Sequence, residues 1–283
     1  MTATRSTASR SRRAGQFAED VVAGLLDTVA ERTDDYLDDT GVEPVHDLRV
    51  SLRRLRAVLS FLDPVLGERV ALARGQIREQ ALDLGRLRDL DVFLEHLSAG
   101  TAPVADADAE ALREVLVRRR DELAEQVSAQ LGTRAWKRPL QTVRRATRGH
   151  NHREAAGKRA TTFCRRRLDR WWVRWVVASA DMPELAPHDL HRVRIRAKKL
   201  RYACEVSAEL FDSQRDRAER TVEGFKDFQD LLGAANDLAT ARRIVEDAGF
   251  AVPREFSGHV DLDRAVLLRR AIILNGRFWR PTG

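Results

Sequence analysis

A basic phrase occurs twice in this chain, and its recurrence constrains the fold more than any other feature. His46-Asp47-Leu48-Arg49-Val50-Ser51-Leu52-Arg53-Arg54-Leu55-Arg56 returns 145 residues later as His191-Arg192-Val193-Arg194-Ile195-Arg196-Ala197-Lys198-Lys199-Leu200-Arg201. In both copies a His is followed by basic residues three, seven, eight and ten positions on. At 100° per residue, positions 0, +3, +7 and +10 of a helix share one face within an arc of about 80°. Such a stripe repels itself unless an anion lies along it. A second pair of phrases, Leu84-Gly85-Arg86-Leu87-Arg88-Asp89-Leu90-Asp91 and Leu232-Gly233-Ala234-Ala235-Asn236-Asp237-Leu238-Ala239, recurs at an offset of 148. Order and spacing are both kept, which is a fold-level signal.

Around these phrases the apolar residues follow a helical period, and no convincing alternating strand is visible. The first half reads as a helix with Phe17, Val22, Leu25 and Val29, the first basic helix breaking near Asp63-Pro64, a long helix over about 68–97, and a fourth helix closing near Gly132. The second half reads as a short helix over about 134–147, long helices over about 152–180 and 188–211, another over about 214–248, and a last one over about 259–277. The expected architecture is all-α: two pseudo-symmetric antiparallel four-helix bundles made by internal duplication. Residues 14–132 would form the first bundle and 133–280 the second, with 1–13 a disordered basic tail.

Composition narrows the function classes. Fifty Lys or Arg against 43 Asp or Glu leave a formal charge of +7, which favours acidic partners. Cys164 and Cys204 are the only cysteines. Neither forms a metal-type or redox pair, the pattern of a reduced cytoplasmic protein. The stretch from Trp171 to Ala178 is too short and too charged to span a membrane. No spacing suggests a metal site near the two histidines, no nucleophile accompanies the aspartates, and no cofactor motif appears.

With both repeats laid out, the chain resembles the CHAD family, the conserved histidine α-helical domain. The resemblance rests on the His-x-x-Arg-x-x-x-Arg/Lys-Arg/Lys-x-Arg helix in each half, on Leu-Gly-x-x-Arg-Asp at 84–89, on Arg201-Tyr202, and on Gln229-x-x-Leu-Gly-x-x-Asn-Asp ending at Asp237. It runs from about residue 14 to 278. It implies a helical domain that binds inorganic polyphosphate through basic residues. Some members follow a CYTH triphosphatase module with an alternating Glu-x-Glu-x-Lys strand. That strand is absent here, so the resemblance implies a stand-alone, non-enzymatic binding module, with polyphosphate granules as an expected destination.

Polyphosphate is a line of charges with no bases to read, and its receptor needs cations along a line. The expected ligands are His46, Arg49, Arg53, Arg54 and Arg56 from the first phrase, and His191, Arg194, Lys198, Lys199 and Arg201 from the second. Arg78 and Lys226 occupy matching positions on the next helix, and Arg86 and Arg88 are expected to extend the surface. Guanidinium–phosphate bonds are charge-assisted and often bidentate. His46 and His191 are expected at helix starts, where free N–H groups favour anions, with His188 as a further neighbour. Asp89 and Asp237 read as partners that orient the arginines. The competing reading is a nucleic-acid-binding protein using the same surface, although no helix-turn-helix, zinc or aromatic-sheet signature supports it.

Overall fold

The computed structural model describes residues 12–148, 153–253 and 261–280. Over these residues the chain is helical, with one isolated bridge and no strand. In chain order the α-helices are α1 (Ala14–Asp38), α2 (Val42–Leu66), α3 (Glu68–Gln80), α4 (Leu82–Ser98), α5 (Asp106–Leu131), α6 (Arg134–Arg148), α7 (Glu154–Gly157), α8 (Ala160–Ala178), α9 (Pro187–Ser207), α10 (Arg215–Leu231), α11 (Gly233–Asp247) and α12 (Leu262–Asn275). Short 3-10 turns at Met182–Glu184 and Ala208–Gln214 flank α9.

The two basic phrases lie on α2 and α9, and both helices are built alike. On α2, Leu48, Leu52, Leu55, Leu59 and Leu62 are buried. On α9 the buried row is Val193, Ala197, Leu200, Cys204 and Ser207. Each row follows the i, i+4, i+7 rule for one helix face. The cations come one residue after members of these rows: Arg49, Arg53 and Arg56 on α2, Arg194, Lys198 and Arg201 on α9. One residue is a 100° turn, so burying the apolar row carries the cations to the edge of the core and leaves them half-buried. Gly67, at φ 83°, makes the reversal from α2 to α3 in a conformation that favours glycine.

Several boundaries differ from the periodicity. The two long helices expected at 68–97 and 214–248 are each two helices, broken at Ala81 and at Leu232. Both break residues have ψ near 0° (3° and −6°), and no proline or polar cluster marks either one. Pro64 does not end α2, which runs on to Leu66. The helix expected from 152 starts at Ala160, because Arg159 pairs with Arg13 in a bridge. There Ala14 N–H donates to the Lys158 carbonyl at 2.8 Å and Ala160 N–H to the Arg12 carbonyl at 2.8 Å. The end of the basic tail is therefore pinned, while residues 1–11 lie outside the described residues.

Packing does not respect a division at 132/133. Helix α6, expected to open the second half, buries Trp136, Pro139, Val143 and Thr147 and packs on α1, α3 and α5. Across the halves α2 packs on α9, α1 on α8 and α4 on α11. One apolar core runs through both halves, from Phe17, Leu52 and Phe61 to Trp175, Phe225 and Trp279. Its densest part is aromatic: Trp175 lies edge-on to Phe225 and Phe228 at 4.9 and 5.5 Å, and Trp172 to Trp279 at 5.4 Å. A smaller core joins α4, α5 and α11 through Phe93, Leu97, Leu112, Leu116, Ile244 and Val245. Cys164 and Cys204 are both buried. Among the described residues, no helix is long and apolar enough to cross a membrane.

Candidate anion-binding cleft

The contact between α2 and α9 sets the two cationic rows across one cleft of ≈ 550 Å³. His46, Arg49 and Arg53 line it from α2, and His191, Arg194, Lys198 and Arg201 from α9. Helix α4 adds Arg88 and Asp89, α10 adds Lys226 and Gln229, and α11 adds Asp237. Two further cavities adjoin the α2 row. One, ≈ 770 Å³, lies among α2, α4, α5 and α11; the other, ≈ 590 Å³, lies among α2, α3 and α9. Arg53 lines all three.

Some cations are held by neighbours. Arg49 Nη2 lies 3.6 Å from Asp89 Oδ1. Arg194 Nε donates to the Gln229 carbonyl at 3.2 Å. Arg201 is held most firmly: Nη1 donates to Glu205 Oε1 at 2.7 Å, Nε to Gln229 Oε1 at 3.3 Å, and the guanidinium sits 4.5 Å over the Tyr202 ring. Glycine in the second repeated phrase makes room for this row. A Cβ on Gly233 would stand 3.0 Å from Arg194 Nη2, and at the matching Gly85 the nearest atom is Arg49 Nε at 4.0 Å. The break before each glycine thus lets a second helix approach the basic helix.

Other cations have no such partner. Among the described residues, Arg53, Arg56, Arg88, Lys198 and Lys199 make no ion pair. The Nε atoms of Arg53 and Arg56 and one terminal nitrogen of Arg88 are buried without an acceptor. An unpaired donor in a low-dielectric cleft is costly. The ionisation equilibria carry the same strain. Lys198 is pulled down to about 7, first by burial and then by Arg53, Arg194 and Arg49, with Asp237 acting the other way. Arg49, Arg56 and Arg194 are lowered from the usual guanidinium value, burial first in each case. His46 lies below its ordinary range because the cleft walls withdraw it from water and Arg88 repels its charge. Asp89 is raised by burial, against the pull of Arg49.

Eight of the twelve residues expected from the sequence line the central cleft: His46, Arg49, Arg53, His191, Arg194, Lys198, Arg201 and Lys226. Arg56, Arg78 and Lys199 line the cavity among α2, α3 and α9 instead. Arg54 lines none of the three and turns to Glu205 at 3.4 Å. The histidines are not at helix starts. Helix α2 begins at Val42 and α9 at Pro187, so His46 and His191 stand in the second turn, past the free N–H groups. His188 points to Asp189, 3.1 Å away, and lines no part of the cleft. Asp89 partners Arg49 as expected, and Asp237 faces Arg194 and Lys198 at longer range. Asp91 belongs to a different pair, with Arg120 at 3.1 Å. The side chain of Asn236 lies outside the described residues.

Several lining residues were missed. Arg74 faces the same cavity as Arg78, four residues earlier and so on the same helix face; that spacing could have found it. Arg119 and Arg243 line the cavity beside α4, and only tertiary contact places them there. Among the described residues, no three His, Cys, Asp or Glu side chains could hold a metal ion.

Comparison with known proteins agrees with this frame. The family model of the CHAD domain matches residues 20–246. No curated protein matches the sequence significantly. Among solved structures, the CHAD domain from the plant Ricinus communis shares the fold with a TM-score of 0.69, at 20% identity, over 94% of this chain and 87% of that one. A helical chain with two facing copies of the His/Arg/Lys helix, matched by the family model across both of them, belongs to the CHAD domain family.

Proposed function

We propose that this chain is a non-enzymatic receptor for inorganic polyphosphate, which lies in the cleft between α2 and α9. The carrying observation is Arg53. It lines all three cavities, has no acid partner among the described residues, and buries an Nε without an acceptor. A linear polyanion running past it would supply the missing charge and acceptors. Arg49, Arg53, Arg194 and Lys198 grip from opposite walls, with His46 and His191 as hydrogen-bond donors. Arg56, Arg78 and Lys199 continue the path along α3, and Lys226 along α10. The resemblance to the CHAD family supports polyphosphate as the polyanion, with polyphosphate granules as the proposed place of action.

The test is calorimetric titration with long-chain polyphosphate at physiological salt, repeated with duplex DNA in excess. Both polyanions lose affinity as salt rises, so the competition is decisive. Binding that survives the DNA supports the proposal. Binding abolished by DNA leaves a general basic surface and moves the nucleic-acid reading to the front. As a second arm, Arg49→Glu with Arg53→Glu should damage binding about as much as Arg194→Glu with Lys198→Glu. Unchanged affinity in both pairs would remove the cleft from the mechanism.

A further inference from the structure

Helix α6 (Arg134–Arg148) carries six cations and no acid. Five of them, Arg134, Lys137, Arg138, Arg145 and Arg148, are exposed. At 100° and 1.5 Å per residue they fall within an arc of about 100° over a length of about 21 Å. None of the five has an ion pair among the described residues. The sixth, Arg144, turns aside to Asp27 at 2.6 Å. The opposite face, with Trp136 and Val143, is buried. This is a third cationic row, outside both copies of the repeated phrase.

The row is separate from the cleft. No residue of α6 lines the cleft or either adjoining cavity. Helix α3 stands between them. Its Ala71, Arg74, Gly75 and Arg78 face the cavity, while Gln80, about 200° round the helix from Arg78, donates from Nε2 to the Ala135 carbonyl at 2.7 Å.

The neighbouring helix says what shape of ligand the row accepts. Helix α1 packs against α6 and exposes Asp20, Asp27, Glu31, Asp34 and Asp38. These five share one face within an arc of about 60°, and Asp27 ties that face to α6 through Arg144. A broad anionic surface, such as a bilayer, would meet this acidic ridge and be repelled. A narrow thread of phosphates could lie along α6 alone. The basic and acidic rows are also complementary between two copies of the chain. Such an interface would lack the apolar core that stable protein contacts need, and exposed ion pairs contribute little.

We propose that the exposed face of α6 is a second, independent surface for a polyphosphate segment, so that one molecule can tie two chains together. This inference rests on the reading of the cleft as a polyphosphate receptor. The test compares the wild type with a variant carrying Arg134→Gln, Lys137→Gln, Arg138→Gln, Arg145→Gln and Arg148→Gln; glutamine is a good helix former, and an unchanged melting transition checks the fold. Titration with a short polyphosphate should show stoichiometry falling from about two to about one while the tighter site keeps its affinity. Long-chain polyphosphate near equimolar protein should scatter light with the wild type and much less with the variant. The pair Arg138→Gln with Arg145→Gln gives a milder version if the full set destabilises the helix. Equal stoichiometry and scattering in wild type and variant overturn the proposal and leave the cleft reading intact. A wild type that binds no polyphosphate sinks both. A phosphate-free dimer that the variant dissolves, seen by sedimentation, would assign the row to the acidic ridge of a second copy and overturn the proposal.

Discussion

Arg53 and Lys198 face each other across a cleft whose cations outnumber its acids, and each yields a prediction at the scale of one side chain. Arg53→Gln removes like-charge repulsion from the ligand-free protein. The ligand-free protein should gain stability by an amount typical of relieving unfavourable charge, about 0.5–2 kcal/mol, and melt at a higher temperature, while polyphosphate affinity falls about tenfold, or ~1.4 kcal/mol. Calorimetry of both transitions checks it, and a lower melting temperature would count against stored repulsion. Lys198 predicts proton uptake. Its folded value of about 7 lies below the ordinary lysine value of 10.5, so between these pH values the unfolded chain holds a proton that the folded chain has released. Its contribution therefore favours folding progressively as pH rises through that window, and its full penalty is present below pH 7. A phosphate chain favours the ammonium form. Binding at pH 8 should take up a proton, and affinity should fall from pH 7 to 9. Titration in buffers of different ionisation heat measures the uptake, and Lys198→Arg, always charged, should abolish this part of it.

At the scale of the element, the breaks at Ala81 and Leu232 matter more than the helices they interrupt. Each turns the next helix so that a glycine faces the arginine three residues after the histidine. Gly233→Ala should push Arg194 aside and weaken polyphosphate binding with little loss of stability, within about 0.5 kcal/mol, because the far end of a long side chain can give way. Gly276→Ala is the contrast. A Cβ there would stand 2.5 Å from the Ile272 carbonyl and 2.7 Å from the Trp172 ring, neither of which can yield, so a loss of about 1–3 kcal/mol is expected. Paired melting and binding measurements on the two variants test the distinction. Neither break was legible beforehand. The apolar period runs on through Ala81 and Leu232, and no proline or capping residue marks them. The basic rows were legible, because a helix places 0, +3, +7 and +10 together whatever surrounds it. The role of Arg54 was less so, since its direction depends on Glu205, a residue of another helix.

For the whole molecule, the residues on either side of Gly132 share one interior. The core passes from Phe61 to Phe163 and Trp171, whose rings lie 6.2 and 5.4 Å away, and Arg167 of α8 donates to the Ser60 and Phe61 carbonyls of α2. Splitting the chain between Gly132 and Thr133 would expose this surface in both pieces and strip α6 from α1, α3 and α5. Neither fragment should show a cooperative melting transition alone. Calorimetry of the separate pieces tests this, and a sharp transition in either would establish an autonomous half.

The residue order alone specified an all-helical chain and the two cationic rows, because each depends only on periodicity and spacing along the chain, and its paired motifs carried the resemblance to the CHAD family. The tertiary structure decided that α2 meets α9, which side chains the cleft leaves without partners, and that Arg54 and His188 turn away from it. Those outcomes depend on contacts between residues far apart in sequence, and the burial that strains Lys198 exists only once both halves have closed around it.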